Sequence, residues 1–98
     1  MDGYVDGFVL PVAKKNMQAY KKMAQVGGKT WLKHGALQYF ECVGDDLNAK
    51  WSTIQFTKMA KAKPGEQVVF SFITFKSKAH RDSVNAKVMK DPIMNNPA

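Results

Sequence analysis

Two strand-like segments flank a helical one, and a third strand-like segment runs into a second helical one; this order predicts an α+β domain of the ferredoxin-like, split βαβ type. Three observations carry that expectation. Apolar residues alternate or cluster with β-branched and aromatic neighbours in residues 4–12, 37–43 and 68–75. Between residues 14 and 33 they recur at steps of three and four, as on one side of a helix. At 98 residues, with 45% hydrophobic and 23% charged content, the chain can build one core but not two, so residues 1–98 are expected to form a single domain.

Residues 4–12 (YVDGFVLPV) make the first strand; Pro11 has no N–H for a ladder and places the strand near its end or at an edge. In the helix that follows, Met17, Tyr20, Ala24, Gly27 and Trp31 form one stripe, with Lys14, Lys15, Lys21, Lys22, Lys29 and Lys33 on the other side. Gly27 and Gly28 each cost about 1 kcal/mol relative to Ala, so the helix either packs closely there or bends. Gly35 supplies its stop. Residues 37–43 (LQYFECV) alternate, placing Leu37, Tyr39, Glu41 and Val43 on one face and Gln38, Phe40 and Cys42 on the other. Residues 44–67 are long for a plain loop. They hold a short alternating run at 52–57 and the sequence Lys63-Pro64-Gly65-Glu66, whose centre suits a type II turn, so a hairpin arm or a flap is expected. Residues 68–75 (VVFSFITF) are the strongest strand. Ser77 caps a helix over residues 78–90, which Asp91 closes because a residue before proline avoids helical geometry. The fourth strand that this fold normally sets beside the first is missing, so either the chain is shortened or something else covers that edge.

The formal charge of +7 would favour an anionic partner. Fourteen of the fifteen cations are lysine, however, with Arg81 alone able to offer a planar fork to phosphate or guanine, and lysine in this pattern mainly solubilises. Residues 70–75 superficially resemble the second part of the RNP1 strand of an RNA-recognition motif. Val68 and Val69 occupy the positions of that motif's basic residue and glycine, and the preceding connection is too long, so nucleic-acid binding is disfavoured. Cys42 is the only cysteine, which excludes an intrachain disulfide and fits a reducing compartment; the N-terminus lacks a basic leader, and no apolar run approaches the roughly 20 residues of a spanning helix. A cytoplasmic protein without a membrane partner is expected.

No motif specifies a reaction, so the candidates are single polar residues that interrupt apolar patterns. Asp6 lies on the strand face of Tyr4, Phe8 and Leu10, where a carboxylate among apolar neighbours can act as a base; otherwise it is a solvated or amide-bonded strand residue. Glu41, between Tyr39 and Val43, invites the same reading, against that of a solvated strand residue or an ion pair with a lysine. Arg81 and Asn85 lie four apart on the second helix and could hold an anionic or carbonyl-bearing ligand, or form a structural network with Asp82, Asp91 or a backbone carbonyl. His34 and His80 show no ligand spacing, so no metal and no cofactor is expected. His34 is placed to interact with the first helix's C-terminus, and His80 to be half-buried one and two turns before Val84 and Val88. Cys42, beside Glu41, reads as a small buried hydrophobe rather than a nucleophile.

Several blocks together resemble a known family: YVDGFV at 4–9, HGAL at 34–37 running into Glu41-Cys42, VVFSFI at 68–73, RDSVNAKVM at 81–89 and Asp91-Pro92. The chain resembles, over nearly its whole length, the YbaA-like family of small bacterial proteins of unknown function, in the dimeric α/β-barrel group of ferredoxin-like folds. The resemblance implies no assigned reaction; wider relatives include cofactor-free monooxygenases, lactone isomerases and haem enzymes. Asp6, Glu41, Arg81 and Asn85 all fall in the matching blocks. Family members usually continue into a further strand rich in aromatic residues and glycine, which this chain lacks.

The resulting expectation is a sheet with one helix-covered face and a second apolar face, carrying Phe8, Phe70 and Phe72, buried against another copy in a homodimer or higher homo-oligomer. Function divides between a cofactor-free enzyme or small-molecule-binding protein, with Asp6, Glu41, Arg81 and Asn85 at a pocket between sheet and helices, and a non-catalytic interaction module.

Overall fold

The computed structural model of the chain describes residues 3–45, 47 and 54–94. Its elements are β1 (Tyr4–Ala13), a 3-10 turn (Lys14–Asn16), α1 (Met17–Lys33), β2 (Gln38–Val43), α2 (Phe56–Met59), β3 (Glu66–Phe75) and α3 (Lys78–Lys90). Among the described residues the sheet is three-stranded, in the order β1-β3-β2, with β3 antiparallel to both neighbours. This α+β arrangement is consistent with a ferredoxin-like one: the helical return between β1 and β2 leaves a gap, and β3 fills it.

Register assigns the faces, because residues directly opposite in neighbouring strands share one. The rows Asp6–Ile73–Tyr39, Phe8–Ser71–Glu41 and Leu10–Val69–Val43 face the helices. Val5–Thr74–Gln38, Gly7–Phe72–Phe40 and Val9–Phe70–Cys42 face the other way. On the helix side Ile73 and Phe75 pack with Val84 and Val88 of α3, flanked by Tyr4, Trp31 and Tyr39, while Val12, Met17 and Val69 form a second cluster with Leu10 and Tyr20. Phe75, Val69, Val84 and Val88 are the most completely buried large side chains. Each adds about 1.5–3 kcal/mol relative to exposure.

Two expectations about faces are corrected by this register. Phe8 does not join Phe70 and Phe72; it sits opposite Ser71, on the parity of Tyr4 and Asp6, and is half-exposed there. Cys42 is not buried. It projects from the face turned away from α1 and α3, opposite Phe70, and is exposed. The uncovered face is nonetheless aromatic: Phe40 stacks on Phe72 with ring centroids 5.0 Å apart, and Phe70 packs beside Phe72 at 5.7 Å.

The paired glycines of α1 permit close packing rather than a bend. A Cβ on Gly28 would stand 2.9 Å from Tyr39 Cδ1, and one on Gly27 would stand 3.3 Å from the Tyr39 hydroxyl. The ring of Tyr39 thus lies flush against the helix. At the end of α1 the positive φ of Gly35 turns the chain, while the Ala36 amide donates to the Trp31 carbonyl. Ser77 Oγ accepts from the His80 amide at the start of α3, and Asp91 leaves that helix in extended geometry. Of the expected arm at 44–67, residues 46 and 48–53 lie outside the described ones. The described remainder forms the single turn α2, which brings Phe56 edge-on to Phe70 over one end of the aromatic face, and the type II turn with Gly65 at φ 85°.

Candidate functional site

The helix-facing rows place both singled-out carboxylates on the same face of the sheet. Asp6 stands one row from Glu41, on the opposite edge strand. Their partners differ. Asp6 Oδ1 accepts from Arg81 Nη1 at 2.7 Å, and Arg81 Nε donates to Asp82 Oδ1 at 2.8 Å. The guanidinium also lies 5.0 Å from the ring centre of Tyr4. The hydrogen bonds from Asp6 and then Asp82 hold Arg81 more firmly protonated than an ordinary arginine. Asp6 and Arg81 therefore meet each other directly, tying α3 to β1.

Glu41 takes a different kind of partner. Tyr20 on α1 donates to its Oε2 and Tyr39 on β2 to its Oε1, both at 2.7 Å. Tyr20 reaches it because the apolar stripe of α1 lies over β2; Tyr39 reaches it because residues two apart on a strand share a face. Burial first, and the Glu41 carboxylate second, push both phenols well above their usual titration range. Both remain donors at any physiological pH. The carboxylate is oriented by two donors, yet each oxygen keeps a further lone pair for another donor.

Asn85 Oδ1 accepts from Trp31 Nε1 at 3.0 Å, and the Trp31 ring lies 6.2 Å from that of Tyr39. A chain of contacts thus runs from α3 through Asn85, Trp31 and Tyr39 to Glu41. Two clefts of about 590 and 620 Å3 open on the two flanks of α1, and Tyr20, Tyr39 and Glu41 border both. The first is walled by Met17, Leu32, Val43 and Val69, with Lys21 and Lys29 on its lip; the second is walled by Trp31, Met23 and the chain after α3 at Ile93. Of Asp6, Glu41, Arg81 and Asn85, only Glu41 lines either cleft.

The two histidines serve the frame. His34 Nε2 lies 2.7 Å from Asp91 Oδ2, which Lys33 also approaches at 3.2 Å, and Asp91 Oδ1 accepts from the Ile93 amide. These contacts, the His34 bond foremost, lower the Asp91 carboxyl to about 2. His80 Nδ1 accepts from the Lys76 amide. Sequence reasoning passed over Tyr20 and Tyr39 as site residues. Both were visible as a stripe residue and as the i−2 neighbour of Glu41, but only the placement of α1 on β2 aims both hydroxyls at one carboxylate.

Residues 3–98 match the model of a family described as a protein of unknown function, DUF1428. The chain belongs to the DUF1428 family. The chain is also similar to the uncharacterized protein YbaA of Escherichia coli K12, 40% identical over 91 residues, which are 93% of this chain and 77% of YbaA. The YbaA proteins of Escherichia coli O157:H7 and of Shigella flexneri are similar to the same extent. Membership in DUF1428 indicates no specific activity. No helix among the described residues is long and apolar enough to cross a membrane.

Proposed function

We propose that this domain binds a small organic molecule in the clefts that meet at Glu41, as a cofactor-free enzyme or binding protein, with Glu41 the group that accepts a hydrogen bond or a proton from it. The observation that carries this reading is the single carboxylate, held by Tyr20 and Tyr39, bordering two clefts of small-molecule size. Two phenols keep the carboxylate oriented without a neutralising cation. Asp6, by contrast, is engaged by Arg81, and that pair serves as a supporting contact between β1 and α3. Asn85 acts through Trp31, which borders the second cleft.

The test is native mass spectrometry of the purified protein for a co-purified small molecule, followed by rebinding of that molecule to Glu41→Gln. Retention of a stoichiometric ligand by the wild type and at least tenfold weaker rebinding by the variant is the expected result. A ligand that rebinds Glu41→Gln unchanged would remove Glu41 from the site.

A specific observation also supports the second reading, an interaction module. Phe40, Phe70 and Phe72 form a contiguous aromatic surface, with Phe40 45% and Phe70 37% exposed. We read this face as the isologous contact of a homodimer in which two sheets pack face to face as a barrel. The two readings are compatible, since the clefts lie on the opposite side of each sheet. RNA on this face is the weakest reading: the lysine-rich helix lies across the sheet from the aromatic rings. A cytoplasmic setting fits a single exposed cysteine, which a reducing compartment keeps as a thiol.

A further inference from the structure

Charge on the lip of the first cleft is unbalanced in one direction. The 3-10 turn and α1 together carry Lys14, Lys15, Lys21, Lys22, Lys29 and Lys33 and no acidic residue. Among the described residues the ion pairs are Lys33–Asp91, His34–Asp91, Arg81–Asp6 and Arg81–Asp82, so Lys21 and Lys29 have no acidic partner. Both line the first cleft, as does Gln25 midway between them. Positions 21, 25 and 29 succeed one another at four-residue steps, which sets a polar row about 12 Å long along one lip. Below that row the wall is apolar: Met17, Leu32, Val43 and Val69 contribute to it, and Val69 is fully buried. Glu41, the acidic group among the described residues lining the cleft, is held by Tyr20 and Tyr39 and keeps a lone pair on each oxygen for a donor carried by the body of the ligand.

We infer that the first cleft selects an amphipathic anion: a molecule with an apolar body that lies on Met17, Leu32 and Val43 and an acidic head that sits between Lys21 and Lys29. This deepens the small-molecule reading above and rests on it. A neutral apolar ligand would leave the lysine row unused, and a cationic head placed on that row would meet repulsion from Lys21 and Lys29. Binding through exposed lysines also weakens as salt is raised, because the Debye length falls from about 10 Å at 0.1 M to about 3 Å at 1 M.

The experiment is titration calorimetry of the full chain with decanoate, kept below the concentration at which it forms micelles, alongside 1-decanol and decyltrimethylammonium as chains of equal length. The double variant Lys21→Glu/Lys29→Glu is the control; both side chains are exposed and have no acidic partner among the described residues, and circular dichroism verifies that it folds. Decanoate should bind once per chain, at least tenfold more tightly than either decanol or decyltrimethylammonium, and the double variant should lose at least tenfold in decanoate affinity. If decanol binds as tightly as decanoate, the cleft is a small-molecule site but the anion selection is wrong. If neither binds, the proposal falls together with the apolar cleft beneath it. Sedimentation with phosphatidylglycerol vesicles is the last arm: binding to vesicles without one-to-one uptake of decanoate overturns the proposal in favour of a membrane surface.

Discussion

At the scale of single residues the arrangement around Glu41 makes unequal demands on its two tyrosines. Tyr39 both donates to Glu41 and fills the space left by Gly27 and Gly28, whereas Tyr20 contributes its hydroxyl from the flank of α1. Tyr39→Phe keeps the ring and removes one charge-assisted hydrogen bond, so unfolding in urea should show a loss of about 1–2 kcal/mol. Tyr20→Phe should fall in the same range, and the double variant should exceed the larger single loss, because Glu41 then has neither donor. If the double variant is as stable as the wild type, the carboxylate is adequately solvated without the phenols and the partly buried site is not a preorganised one.

Elements meet closely at two places. The first is α1 on β2, where Gly28 would need a Tyr39 shift to admit a methyl group. Ala is favoured over Gly by about 1 kcal/mol within an exposed helix, while overpacking costs about 1–3 kcal/mol. The contact at 2.9 Å involves the ring near its base rather than a flexible tip, so the steric term should win and Gly28→Ala should lower the urea midpoint. A raised midpoint would mean that helix and strand are not in contact there.

The second place is the meeting of the ends of α1 and α3 through Asp91, His34 and Lys33. Asp91 has a carboxyl lowered to about 2 by these partners, so its contribution to stability is present in full above the ordinary carboxylate value of about 4 and is lost as pH falls toward 2. Asp91→Asn should therefore be less stable than the wild type at pH 5, with the gap closing between pH 4 and pH 2. Melting temperatures of the two proteins across that range provide the check, and a gap independent of pH would place the stabilisation elsewhere.

For the whole molecule the question is what covers the second sheet face. Phe40, Phe70 and Phe72 are adjacent rather than scattered, and α2 shelters only the end near Phe70. Such a patch on a monomer is an association surface. Light scattering at micromolar concentration should give at least a dimer mass, and Phe72→Asp, which would bury a charge at the contact, should shift the species to monomer with at least tenfold weaker association. A wild-type monomer under those conditions would end the dimer reading.

Much of this architecture was legible in the order of residues. Strand alternation, the lysine-free stripe of α1, the Pro64-Gly65 turn, the Ser77 cap and the Asp91-Pro92 stop are local, and local geometry follows from dihedral preferences and from periods of two and 3.6. Alternation also put Asp6 with Tyr4 and Glu41 with Tyr39. Strand register and helix placement required tertiary contacts. Whether Asp6 and Glu41 share a face depends on how β1 and β2 each pair with β3, and a shift of one residue would send either carboxylate to the other side. The same register moved Phe8 to the helix side and left Cys42 in the open. Aiming two phenols at one carboxylate, and pairing Arg81 with an aspartate 75 positions earlier in the chain, required the packing of helices on the sheet. Periodicity identifies the face a residue belongs to; only the folded chain decides which residue it meets there.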